Sequence, residues 1–234
     1  KRLAKELKNI GFSSDSSEKI AKFDLYDQNA SADFFDPEWM FGIKDGFDVV
    51  IANPPYLEAR SSEFSKQMKY EAQKWTKLRW GCDAEFITRG SDLLIYFLEI
   101  GIYLLSKKGT SVFITQNSWL DTNYGKEFQK FLLKNTNVKA IIDTDFKYFD
   151  SKDGPNINTV ITIFFGKNPE LKNSVIFARY HENFEKINHS VLCSKIKHFN
   201  SQIEINQFEY TNPILKNIKW GVLISSSEEI LQIF

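Results

Sequence analysis

The stretch Phe47-Asp48-Val49-Val50-Ile51-Ala52 followed at once by Asn53-Pro54-Pro55-Tyr56 constrains this chain more than any other. Six mostly apolar residues stopped by an Asn-Pro turn read as a buried strand that ends abruptly. Each proline offers a carbonyl but no N–H, and its fixed φ stiffens the turn. The result is a rigid display of acceptors, the Asn53 amide oxygen and the Pro54 carbonyl, beside the flat ring of Tyr56. Such a display suits an amino group carried on a planar base. An ordinary strand-ending turn is the alternative reading of these four residues.

Three further β-like runs follow, Thr110 to Thr115, Val138 to Asp143 and Asn158 to Phe165. Ile95 to Leu105 has the apolar density of a buried helix ended by Lys107-Lys108-Gly109, and Lys126 to Leu133 carries Phe128, Phe131 and Leu132 at helical spacing. Strands alternating with helices predict an α/β layered sheet. The short break from Asp150 to Pro155 predicts a hairpin between the third and fourth strands, hence three parallel strands and one antiparallel, with helices on both faces. Beyond Gly166-Lys167-Asn168-Pro169, Val175 to Tyr180 reads as one more possible strand, and the remainder reads as an irregular extension. The expected division is residues 1–169 as a partial catalytic domain and 170–234 as an extension. The N-terminus opens without methionine inside a helix-like pattern (Leu3, Leu7, Ile10). Ser225 to Glu229 resembles a helix start that stops at Phe234. Both ends therefore read as cut from a longer protein.

Composition narrows the class only slightly. Thirty basic and 30 acidic side chains balance, so a nucleic-acid groove is neither required nor excluded. No run of 18 apolar residues suggests a membrane span, and the N-terminus lacks a signal-peptide core. Two cysteines, Cys82 and Cys193, suit a reducing cytoplasm. His181, His189 and His198 flank Cys193 without metal-ligand spacing, so no metal site is expected.

The chemistry of the turn is specific. An exocyclic amine on an aromatic base is a weak nucleophile because its lone pair is delocalised. Asn53 and Pro54 could hold its hydrogens and bias it towards tetrahedral geometry, while Tyr56 stacks on the base, an interaction worth about 1–3 kcal/mol. With an activated methyl group as electrophile, alignment and charge stabilisation carry the reaction.

Asp48 to Tyr56 resembles the NPPY motif of adenine-N6-specific DNA methyltransferases. Asp27 to Gly42 with Phe47 to Val50 resembles the approach to that motif in bacterial type II, often IIG, restriction–modification enzymes. Asp92 to Phe97, Gly109 to Leu120 and Asn158 to Phe165 follow the family's downstream order, so the resemblance spans residues 23–168. It implies the C-terminal part of a Rossmann-like class I methyltransferase sheet, S-adenosylmethionine as cofactor and double-stranded DNA as partner. Mg2+ is implied only where a nuclease domain is present elsewhere.

The resemblance further implies that Asn53, Pro54, Pro55 and Tyr56 form the catalytic motif around the target adenine. It places Asp33 and Phe34 beside the cofactor adenine, although Asp33 could equally cap a turn. Phe97 would pack on that adenine, or simply in the core. Phe164, preferred narrowly over Phe165, would close on the flipped base. On a helix Lys66, Lys69, Lys74 and Lys77 share an arc of roughly 140°, which reads either as phosphate contacts or as a solvated face. The family's Gly-x-Gly cofactor loop is not found: no two of the 11 glycines are separated by one residue. The chain by itself is therefore expected to be inactive. A glutamine-amide protein methyltransferase, an RNA adenine methyltransferase and a silent binding module are the competing readings.

Overall fold

The computed structural model describes residues 2–9, 14–24, 26–27, 37–56, 65–81, 83–88, 90–146, 157–167, 174–181 and 203–225. The chain divides into two compact units, Lys1–Asp45 and Gly46–Phe234. In the first, helices α1 (Arg2–Asn9) and α2 (Ser14–Lys22) pack on each other, and α3 (Pro37–Phe41) follows.

The second unit is built on a six-stranded sheet of order β1-β2-β4-β3-β5-β6. Its strands are β1 (Phe47–Ala52), β2 (Leu105–Gln116), β3 (Asn137–Thr144), β4 (Thr159–Phe165), β5 (Ser174–Tyr180) and β6 (Ile203–Glu209). Strands β1 and β2 are parallel, as are β3 and β5. The β3–β4 hairpin forms as expected, and β4 also pairs antiparallel with β2, so it lies between two mutually parallel strands that both run opposite to it. The possible strand at Val175 to Tyr180 forms as β5, and β6, in the stretch expected to be irregular, pairs with it and extends the same sheet.

Among the described residues this unit also holds helices α4 (Lys66–Trp80), α5 (Leu93–Leu104), α6 (Asn123–Asn135), α7 (Ile214–Asn217) and α8 (Trp220–Ser225), with a short 3-10 turn at Ser118–Leu120. Ser65 caps α4 by accepting from the Met68 amide at 3.2 Å, and Gly81 ends it with φ 61°, the left-handed turn that glycine adopts without strain. Apolar almost throughout, α5 buries Leu94, Ile95, Leu98 and Ile102. A methyl group at Gly101 would lie 2.3 Å from the Phe113 ring, so the bare helix backbone is what seats that ring.

One core joins Leu98, Phe113, Phe128, Phe164, Phe177 and Trp220, with Val50 and Ala52 of β1 at its margin. All the strand residues in it share one sheet face, because paired and alternate positions point the same way. On the other face Ala178, Tyr180 and Ile205 form a small second cluster, while Ile51 is 75% exposed.

Arg79 and Glu99 tie α4 to α5. The Glu99 carboxylate is 1% exposed and accepts from Arg79 Nη1 at 2.9 and 3.2 Å and from Trp80 Nε1 at 2.6 Å. Burial pushes the Glu99 carboxyl up, and Arg79 and Trp80 pull it back. Arg79→Ala would strand that charge, an expected loss of about 3–5 kcal/mol in denaturant unfolding. The folded-state value, already above the unfolded one, then rises further, with only the Trp80 and Thr76 hydrogen bonds left to oppose burial. The variant is therefore expected to be most stable in acid and to lose stability as pH rises through the folded value. Thermal melts at pH 5.5 and 8 check the sign.

Candidate active site

Parallel β1, β2, β3 and β5 all end at one edge of the sheet, where antiparallel β4 begins. Asn53 continues β1 at this carboxyl edge, the usual ligand side of an open α/β sheet. Asn53 and Pro55 are exposed, Pro54 is buried and Tyr56 is partly buried. The Tyr56 hydroxyl donates to Asn53 Oδ1 at 2.8 Å. The buried proline anchors the turn while the amide and the ring stay accessible. Burial pushes the Tyr56 hydroxyl up, so it remains a protonated donor at neutral pH.

Since α5 leads straight into β2, its N-terminus returns to the carboxyl edge. There Asp92 accepts from Ser118 Oγ at 3.1 Å and from the Tyr124 hydroxyl at 2.8 Å, linking α5 to the turn after β2 and to α6. Sequence reasoning gave Asp92 no role; an acidic residue at a helix N-cap position is common, and its partners lie 26 and 32 residues away. A polar cavity of about 350 Å³ opens further along the same edge, lined by Asn117, Asp121, Asp143, Asn158, Arg179 and Gly221 among others. Burial pushes the Asp143 carboxyl up, whereas a hydrogen bond from His181 and then Arg179 hold Asp145 down. His181 Nδ1 lies 2.6 Å and Arg179 Nε 2.7 Å from the Asp145 oxygens.

The remaining sequence candidates separate sharply. Phe97 is 38% exposed on α5. Asp33 and Phe34 lie outside the described residues, as do His189, Cys193 and His198. Among the described residues no three His, Cys, Asp or Glu side chains gather as a metal-binding group. No described helix is long and apolar enough to cross a membrane.

Lys69 is corrected: it is buried, and its ammonium donates to the Ser91 carbonyl at 3.2 Å, bracing the loop before α5. Burial pushes its pKa down, opposed by Asp92. Lys77 pairs with Asp83 at 2.8 Å. Lys66 and Lys74 remain exposed, flanking Tyr70 on the outer face of α4.

The assignment of Phe164 to the target base is also corrected. Because β4 runs antiparallel, its end lies level with Val138 at the start of β3 and, across β2, with Val50. That is three residues, roughly 10 Å, short of Asn53 along the strands. Phe164 is fully buried in the core, and Phe165 lies one residue further away with Lys139 Nζ 5.7 Å from its ring. Phe146, just beyond β3, is the half-exposed aromatic at the carboxyl edge among the described residues of that connection.

The profile of the Eco57I restriction-modification methylase family matches residues 2–149, well over half of the chain. The chain belongs to that family. It is 25% identical over 197 residues to the type II methyltransferase M.BstVI of Geobacillus stearothermophilus, covering 80% of this chain and 32% of the relative. It is 26% identical over 191 residues to the type II methyltransferase M.AccI of Acinetobacter calcoaceticus, with the same coverage. The chain thus spans about a third of these relatives' length. Among solved structures it resembles the type IIG restriction endonuclease BpuSI with a TM-score of 0.54 and 17% identity, over 72% of this chain and 20% of that one. At that identity the likeness concerns the fold.

If Phe164 serves the core of this Eco57I-family sheet, Phe164→Ala should cost about 3–5 kcal/mol in chemical denaturation. Unchanged stability would return the residue to the list of site candidates.

Proposed function

We propose that this chain carries the target-base side of an adenine-N6 DNA methyltransferase within a restriction–modification enzyme. The observation that carries the reading is the Asn53–Tyr56 turn, set at the carboxyl end of a strand with its amide and ring accessible and its middle held by buried Pro54. A target amine is inaccessible inside the duplex stack, so the base would be flipped out to reach the turn. Tyr56 would stack on it, and Asn53 Oδ1 and the Pro54 carbonyl would accept its amine hydrogens. Phe146 is the aromatic we propose in place of Phe164 as a second contact to the base.

S-adenosylmethionine would supply an activated methyl group. The exposed Phe97 ring on α5 suits stacking on an adenine, and Asp33 and Phe34 are proposed as further cofactor-binding residues. Asn53 Oδ1 and the Pro54 carbonyl would hold the amine so that its nitrogen lone pair faces that methyl group. The amine proton, held at Asn53 or Pro54, is then released to water. No general base beyond solvent is required, and alignment contributes most of the acceleration. Residues 1–169 are proposed as part of the catalytic domain, and 170–234 as the path towards target recognition.

Asn53→Ala, made in the full-length polypeptide, is expected to lower N6-methyladenine formation by about a hundredfold or more, the scale seen when one preorganised polar contact to a reacting group is removed. The thermal midpoint should stay unchanged. Mass spectrometry of digested DNA checks it, and near-normal methylation sinks the assignment. Lys66→Gln and Lys74→Gln are each expected to weaken duplex binding and flatten its salt dependence by about one unit of log–log slope. Lys69→Gln should instead reduce stability and leave that slope alone.

A further inference from the structure

The amino edge of the sheet, opposite the Asn53 turn, gathers positive charge that nothing among the described residues neutralises. Three segments meet there: residues 105–109 at the start of β2, 134–139 from the end of α6 into β3, and 165–167 at the end of β4. They are bonded to one another at a single turn. The Gly166 amide donates to the Gly109 carbonyl at 2.8 Å, and Thr136 Oγ1 donates to the Gly166 carbonyl at 2.6 Å. Between them the segments carry Lys107, Lys108, Lys134, Lys139 and Lys167 and no acidic residue. In a chain with 30 basic and 30 acidic side chains, that separation is a local excess of charge.

The surrounding carboxylates do not cancel it. Among the described residues no ion pair engages any of the five lysines, and the acids of the neighbouring helices are taken up elsewhere: Asp83 by Lys77, Glu99 by Arg79 and Glu127 by Lys130. Asp48 and Glu209 are exposed at the same edge, but they stand on the outer strands β1 and β6, at either side of the cluster. Aromatic rings take the place of carboxylates. Lys139 Nζ lies 5.7 Å from the centre of the Phe165 ring, and Lys167 Nζ 5.5 Å from that of Tyr103. A ring attracts an ammonium through its quadrupole and holds it in place, but leaves its full charge to act outwards. Burial pushes the Lys167 pKa down with no carboxylate opposing it.

Such a cluster suits a polyanion, and its composition narrows which one. Lysines are mobile point charges, fit for phosphate contacts that carry no sequence information. A single strand would need free rings on which bases stack, and both rings of the cluster are already engaged by ammonium groups. Duplex DNA is also the polyanion that the proposed function brings to this protein. The cluster is remote from the turn. Ala52, the residue before Asn53, lies beside Phe113, five residues beyond Lys108 and roughly 17 Å along the strand. The phosphates it takes are therefore not those beside a base at the turn.

We infer that the amino edge, through Lys107, Lys108, Lys134, Lys139 and Lys167, is a second duplex-DNA surface that grips the phosphate backbone away from the reactive base. It rests on the methyltransferase reading only for the identity of the polyanion.

Fluorescence anisotropy tests it, with the full-length polypeptide and a labelled duplex of about 30 base pairs, between about 50 and 200 mM salt. S-adenosylmethionine is left out, so binding is read without methyl transfer. Lys139→Gln with Lys167→Gln, and separately Lys107→Gln with Lys108→Gln, are each expected to flatten the log–log salt slope by about two units, close to one per phosphate. Lys5→Gln with Lys22→Gln removes the same charge from the first unit and should leave the slope as it is. Circular dichroism checks folding, and Lys107 and Lys108 are exposed, so that pair tests the surface without touching the core. Unchanged slopes in both cluster pairs overturn the inference. So does an equal loss in all three pairs, which net charge alone would explain. An unchanged duplex slope with lost affinity for polyglutamate also overturns it, because the occupant would then be an acidic polypeptide. Failure of the methyltransferase reading shows elsewhere: with the cofactor added, wild type would form no N6-methyladenine, whatever the slopes.

Discussion

The parallel register that sets Ala52 of β1 beside Phe113 of β2 governs what lies beyond it. Phe113 is seated on the bare backbone of α5 at Gly101, so β2 and α5 approach each other more closely than side chains elsewhere would permit. That contact sets the height of α5 against the sheet, and with it the position of Asp92 at the helix start. Asp92 gathers Ser118 from the turn after β2 and Tyr124 from α6. Lys69 reaches the neighbouring Ser91 carbonyl from α4. The edge around Asn53 is therefore braced from three helices, although none of the bracing residues belongs to the Asn53–Tyr56 turn.

Much of this was legible from the residues, and the failures are instructive. The four apolar runs became four strands because short β-rich stretches between breakers have few other options. The turn at Asn53 was legible because two prolines leave little conformational freedom. Phe164 was misplaced by the resemblance and not by the pattern: the expected β3–β4 hairpin already makes β4 antiparallel, and an antiparallel strand begins at the edge that holds Asn53 and ends away from it. Lys69 failed on the pattern, since helical spacing shows which lysines share an arc, not whether a backbone carbonyl waits inside it.

The strands beyond residue 169 were harder to foresee. In β6 only Ile203, Ile205 and Phe208 are apolar, mixed with Glu204, Asn206, Gln207 and Glu209. A pattern so weak reads as loop until a partner strand is known. Its pairing with β5 supplies the missing information. Asn206 Nδ2 also donates to the Leu223 carbonyl at 2.9 Å, so a polar residue fastens α8 to this strand.

The antiparallel direction of β4 has an evolutionary corollary. Parallel neighbours must be joined by crossovers long enough to return to the starting edge, and altering their length disturbs a packed helix. Phe146 and Ile157, the described residues that flank the β3–β4 connection, both lie at the edge that holds Asn53, so these two strands are joined without a crossover. Change in the length of this connection therefore leaves the order and direction of the strands intact, and a lineage could vary the surroundings of the Asn53 turn while the turn itself stays fixed.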